Sequence, residues 1–188
     1  VCSLYATQVP NRPVKWTDER SGSFVSDNHG RDHEVTAEAA FDKDGMILAV
    51  RLTGYGNYGA FQGLPLQVTV NAVKNIIGVY RTPLVEVNTK CVLTNSTPVG
   101  AYRGAGRPEG NYYMERLIEQ AAREMKRDPL ELRRRNHIQP HAIPYKAPSD
   151  LTYDSGDMPG VLREVHEAAD WSGDAARRAA RDKRGEVR

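Results

Sequence analysis

Apolar and polar positions keep different rhythms in the two halves of this chain. Residues 33–41 and 46–55 are apolar and β-branched enough for two strands. Between them Asp42-Lys43-Asp44-Gly45 offers a four-residue turn with a glycine for positive φ, so the pair reads as a hairpin. Residues 84–95 alternate, with Val85, Val87, Thr89 and Cys91 on one side and Glu86, Asn88 and Lys90 on the other, the pattern of a half-buried strand. Val14, Trp16 and Thr17 among charged neighbours predict a short strand over 12–20, and the Ser, Asp, Asn and Gly of 21–30 predict a loop. A glycine-rich connection over 54–65 leads to a short helix over 68–77.

The second half turns helical. Met114, Leu117, Ile118, Ala121, Ala122 and Met125 follow the 3-and-4 spacing of one helix face, with Pro108 in the first turn and Glu109 at the positive end of the dipole. Asp128-Pro129-Leu130-Glu131 predicts a new start, with Asp as N-cap and Pro at the first helical position, for a helix ending near Asn136. Three prolines make 139–148 an extended surface loop. Asp157 caps a last helix running to about residue 170, with Val161, Leu162, Val165 and Ala169 facing inward, and a basic tail over 174–188 is expected to fray. Strands first and helices later define an α+β class, with antiparallel strands in the first half and helices in the second.

Bulk numbers exclude more than they select. The chain has 188 residues, 39% of them apolar and 27% charged, ordinary values for a globular protein with a real core. A net charge of +2 argues for neither nucleic acid nor an anionic membrane. No apolar run approaches the roughly 20 residues of a membrane span, and no signal peptide is visible, so the cytoplasm is the expected location. Cys2 and Cys91 form no CxxC and no metal-ligand spacing.

Four patterns suggest chemistry. Gly54-Tyr55-Gly56-Asn57-Tyr58-Gly59 matches GxGxxG, but the next residues are not helical and the βαβ context of a dinucleotide site is missing, so the glycines are read as points of strand bending or close approach. His137 and His141 flank a proline and lack a third ligand, which makes them solvated loop histidines, and Asn28 to His33 reads as a turn with local hydrogen bonds. Arg133-Arg134-Arg135 suits the C-terminal end of a helix, and no nucleic-acid module accompanies it. The fourth pattern is Gly100-Ala101-Tyr102-Arg103-Gly104-Ala105-Gly106-Arg107, a glycine-rich loop that runs into a helix N-terminus with two arginines beside it. Such a loop favours anions through backbone N–H groups, the helix dipole and forked guanidinium donors. An anion or oxo-group site and a tight strand-to-helix turn with paired arginines both fit it.

The stretches "GAYRGAGRPE" and "ERLIEQAAREMKRDPLELRRRN" resemble the molybdenum hydroxylases, most of all the large subunits of aerobic carbon monoxide dehydrogenase, with xanthine dehydrogenase and aldehyde oxidase more distant. The likeness continues in "RPVKWTDERSGSF", "HGRDHEVTAEAAFDKDGMILAVR", "NYGAF", "YDSGDMP" and "ADWSG", in order across residues 12–173. Residues 1–11 stand apart as an atypical segment, where the family would place a GGxFG cofactor loop.

The resemblance implies a partial molybdopterin-binding domain, with the cofactor in its cytosine dinucleotide form. Gly100, Ala101, Tyr102, Arg103 and Gly104 would be cofactor-side, Arg103 nearest the oxygen ligand of the metal, and Tyr102 and Ala105 would face substrate. Gly104 stands where copper-containing relatives have a cysteine, and Asn71 where purine oxidisers have an arginine, so an aldehyde or N-heteroaromatic substrate is expected. The family's glutamate base would lie downstream, and no catalytic residue or metal ligand is assigned in this chain. The rest of the large subunit, with FAD-binding and iron–sulfur subunits, would be its partners, and the isolated chain is expected to be inactive. The alternative is a non-catalytic, truncated or stand-alone interaction domain of the same fold.

Overall fold

The computed structural model describes residues 13–61 and 67–185. Segment 1–11, Cys2 and the end of the glycine-rich connection at 62–65 lie outside the described residues. A helix, α1 (Arg20–Ser26), precedes the hairpin of β1 (His33–Phe41) and β2 (Ile47–Asn57). Then come α2 (Gln67–Lys74), β3 (Val85–Val92), α3 (Arg107–Met125) and α4 (Pro129–Asn136). Two short strands, β4 (Tyr145–Lys146) and β5 (Thr152–Tyr153), lead to α5 (Met158–Ala168) and α6 (Asp174–Arg184).

β1 and β2 pair antiparallel around the Asp42–Gly45 turn, where Asp42 Oδ1 accepts from the Asp44 and Met46 N–H groups. β3 joins the other edge of β2 in parallel, from Val50 opposite Val85 to Asn57 opposite Val92. The first half is therefore an antiparallel pair extended by one parallel strand. The β2–α2–β3 crossover supplies the βαβ connection that the sequence reading did not find. Yet Gly54 and Gly56 lie inside β2, paired on both sides, and α2 begins only at Gln67. A Cβ on Gly54 would run into the Glu34 and Val35 backbone, so close approach explains that glycine.

One sheet face is charged and wet. Glu38, Arg51 and Glu86 line up across it, with the Arg51 Nε 2.6 Å from Glu38 Oε2. The opposite face carries Val35, Ala37 and Phe41 of β1, Val50 and Leu52 of β2, and Val85 and Val87 of β3. Met114, Ile118 and Ala122 of α3 pack against it together with Ile76, Ile77, Tyr80, Leu132 and Ile138. Burying each large apolar side chain here contributes about 1.5–3 kcal/mol relative to exposure.

Several expectations change. Residues 13–19 form no strand, and α1 replaces much of the expected 21–30 loop. Asn28 to His33 makes long-range rather than local bonds: His29 N–H donates to Pro98 O, Gly100 N–H to His29 O, and Asn57 N–H to Asp32 O. Residues 139–148 contain a 3-10 turn and β4 rather than only extended chain. His137 is buried against Tyr80, with ring centroids 5.5 Å apart, so it is no solvated loop histidine. Val161 and Val165 of α5, and Ala169 at its C-cap, face outward, Val161 being 62% exposed, because no described element covers them. Within the basic tail Asp174–Arg184 forms α6, which buries no residue, so the expectation that it frays stands as it was.

Candidate cofactor-facing loop

The 98–106 loop is held at both ends. At its start it runs beside residue 29 through the His29–Val99 bridge, and Val99 N–H also donates to Tyr58 O at 3.2 Å. At its end Ala105 N–H donates to Tyr102 O at 2.8 Å and Arg107 N–H to Gly104 O at 3.1 Å, forming two tight turns that feed α3. Gly104, Ala105 and Gly106 all have positive φ, at 96°, 38° and 97°. Such a run turns the chain sharply in front of the helix N-terminus. At Gly104 a side chain would be strained, and its Cβ would also come within 3.0 Å of the Pro108 ring.

Between these anchors lie unused donors. The backbone N–H groups of Ala101, Tyr102, Arg103 and Gly104 have no acceptor among the described residues. Arg103 and Arg107 are exposed and make no ion pair among the described residues. Successive free N–H groups, a free guanidinium and a helix N-terminus together suit an anionic or oxo-bearing ligand. The paired-arginine alternative loses its main support. Tyr102 is 66% exposed and borders a groove of about 420 Å³ that also touches Arg20, Phe24 and Asn28. Ala105 is half-buried at the bend, and Gly100 is buried under the loop. Asn71 lies on α2, where its carbonyl accepts from Asn75.

Sequence reasoning missed the groups behind the loop. Arg31 lies 5.0 Å from the Tyr102 ring centroid and pairs with buried Glu109, Nε to Oε1 at 3.5 Å. His33 Nδ1 and the Tyr113 hydroxyl are 2.7 Å apart. Burial, and then the nearby Glu109 charge, push the Tyr113 hydroxyl up to about 12. Burial lowers the His33 imidazole, against the raising effects of Glu109 and Asp32. In the sequence these residues are scattered over 31–33 and 102–113, and the His29–Val99 pairing is among the contacts that bring them together. Among the described residues no group of three or more His, Cys, Asp or Glu could hold a metal ion.

A mixed α/β fold with a glycine bend that leads free backbone donors into a long helix suits the binding of an anionic group. The family model described as the molybdopterin cofactor-binding domain matches residues 1–137, and the chain belongs to that family. The 6-hydroxypseudooxynicotine dehydrogenase complex subunit gamma of Paenarthrobacter nicotinovorans is 34% identical over 92% of this chain and 22% of its own length. The carbon monoxide dehydrogenase large chain of Afipia carboxidovorans is 34% identical over 100% of this chain and 24% of its own. Quinoline 2-oxidoreductase from Pseudomonas putida 86 superposes with a TM-score of 0.83 at 32% identity, over 96% of this chain and 23% of that one. The chain is thus a homologue of molybdenum-cofactor-binding subunits and spans under a quarter of the length of these relatives. No helix among the described residues is long and apolar enough to cross a membrane.

Proposed function

We propose that this chain is a segment of the catalytic subunit of an aerobic-type molybdenum oxidoreductase, one wall of its active site. The N–H groups from Ala101 to Gly104 and the Arg103 guanidinium, which have no partner among the described residues, carry this reading. The residues fit an anionic cofactor: Gly100 to Gly104 would hold it, with Arg103 toward its oxygen side. When bound, a molybdenum cofactor, in the cytosine dinucleotide form, supplies oxygen transfer and accepts two electrons. The chain's own part is to orient and neutralise that group, while Tyr102 and Ala105 border the substrate. Gly104 cannot ligate copper, and its backbone disfavours any side chain there, which speaks against carbon monoxide and for an aldehyde or N-heteroaromatic. The general base and the rest of the cofactor cradle would come from the remainder of the subunit. FAD and iron–sulfur subunits would carry electrons away, in the cytoplasm.

The test is Arg103→Ala in the enzyme assembled with the remaining subunit and its partners. Loss of a fixed donor to an oxyanionic centre lowers kcat on a suitable aldehyde or N-heteroaromatic by about 10²–10³-fold. Molybdenum content, measured by mass spectrometry, separates lost binding from lost orientation. Unchanged turnover and unchanged molybdenum would refute the assignment.

A further inference from the structure

Behind the loop lies a buried acid that the proposed function leaves unused. Glu109, in the first turn of α3, is only 7% exposed, and its Oε2 has no hydrogen-bond partner among the described residues. The helix dipole favours a carboxylate there, but burial of an acid with a single long ion pair carries a desolvation cost that limits its worth to stability. That ion pair is with Arg31, whose φ of 55° places a non-glycine residue in the left-handed region. Holding Arg31 there costs backbone energy and calls for a compensating role. The Arg31 guanidinium lies over the Tyr102 ring, and the Tyr102 Cβ packs directly on Gly30. Tyr102 is otherwise open to solvent, in a stretch whose own N–H groups hold nothing among the described residues.

We propose that Glu109 and Arg31 are positioning residues: Glu109 fixes the Arg31 guanidinium over Tyr102, and this clamp sets the ring and the neighbouring donors of residues 101–104. The clamp links the rigid N-terminus of α3 to the exposed tip of the loop, so the donors are preorganised before any ligand arrives. The inference rests on reading that loop as cofactor-facing.

The experiment is nuclear magnetic resonance on the full 188-residue chain. In the parent chain the amides of 101–104 show order parameters near about 0.85, and in Glu109→Gln and Arg31→Ala they fall below about 0.6 while α3 stays rigid. Arg31→Lys, which keeps the charge, restores part of the order. The Arg31 Nε–Hε resonance keeps its ring-current shift in Tyr102→Phe and loses it in Tyr102→Leu. If Glu109→Gln fails to fold, the exposed-side variants Arg31→Ala and Tyr102→Leu still decide the matter. Unchanged order at 101–104 in Arg31→Ala, or an Arg31 signal indifferent to Tyr102→Leu, overturns the clamp. That result leaves the Arg103→Ala outcome untouched, so the two readings fail separately.

Discussion

At the scale of single residues, Asn136 does most to join the two halves of the fold. It is fully buried; its Oδ1 accepts from Ile47 N–H at 2.8 Å, and its Nδ2 donates to Gly45 O at 2.7 Å and Leu132 O at 2.9 Å. The sequence marks Asn136 only as a helix end, because a side chain that crosses 90 residues to a hairpin turn leaves no local signature. Asn136→Ala strands at least two buried backbone groups, each costing about 1–3 kcal/mol. A loss of about 3 kcal/mol is expected in urea unfolding, seen as a lower midpoint at constant m value, and a loss under about 1 kcal/mol would contradict the role. The next residue titrates. Burial lowers the His137 imidazole, Glu115 on α3 opposes this, and Arg133 on α4 adds to it. The unfolded chain therefore takes up the proton first, at about pH 6.5. Stability is full above that pH and falls as pH drops below it toward the lower folded value. Calorimetry from pH 7 to 5 should show a falling midpoint, with a shallower slope in His137→Gln; the remaining slope includes His33, shifted the same way by burial. Equal slopes would place the proton uptake elsewhere.

At the scale of elements, what could be read in advance depended on what each element buries. The hairpin, α3 and α4 were legible because their apolar periods face one core. In α4 the N-cap was legible too: Asp128 Oδ1 accepts from Leu130 N–H at 2.6 Å and from Glu131 N–H at 3.1 Å. Asp128→Ala removes those bonds from an eight-residue helix and should cost about 1 kcal/mol, with Asp128→Ser recovering most of it. Equal stability of Asp128→Ala and the parent chain in thermal melts would mean that packing, not the cap, starts α4. By contrast α1 leaves no helical signature in the sequence, since it buries no side chain and so has no apolar period. The direction of β3 was hidden for another reason: alternation states which face is buried and says nothing of the direction in which the neighbouring strand runs. The candidate loop was half legible. Its glycines and arginines leave an anion site and a tight turn both open as readings, whereas the Arg31–Glu109 pair appears only in the fold.

At the scale of the whole molecule, stability is divided unevenly along the chain. The core runs from β1 to β5, through Ile118, Leu132 and Ala147. Beyond it α5 buries only Gly160, and α6 buries nothing. α6 is tied by exposed pairs, Arg177 with Asp170 and Arg178 with Asp174, and such pairs contribute about 0–1 kcal/mol each. Meanwhile Leu162, Val165 and Trp171 line an open groove beside Leu130 and Pro129. Helices with few buried contacts open locally at far lower free energy than the core does. Amide hydrogen exchange should therefore run at least about a hundredfold faster in α5 and α6 than at Met114 and Ile118 of α3, which exchange only on global unfolding. On the proposed reading the remainder of the subunit would cover the α5 face, so adding it should slow α5 exchange and leave α3 unchanged. Uniform protection in the chain alone would mean that the C-terminal helices fold as one unit with the core, and that their exposed apolar face needs no cover to hold them.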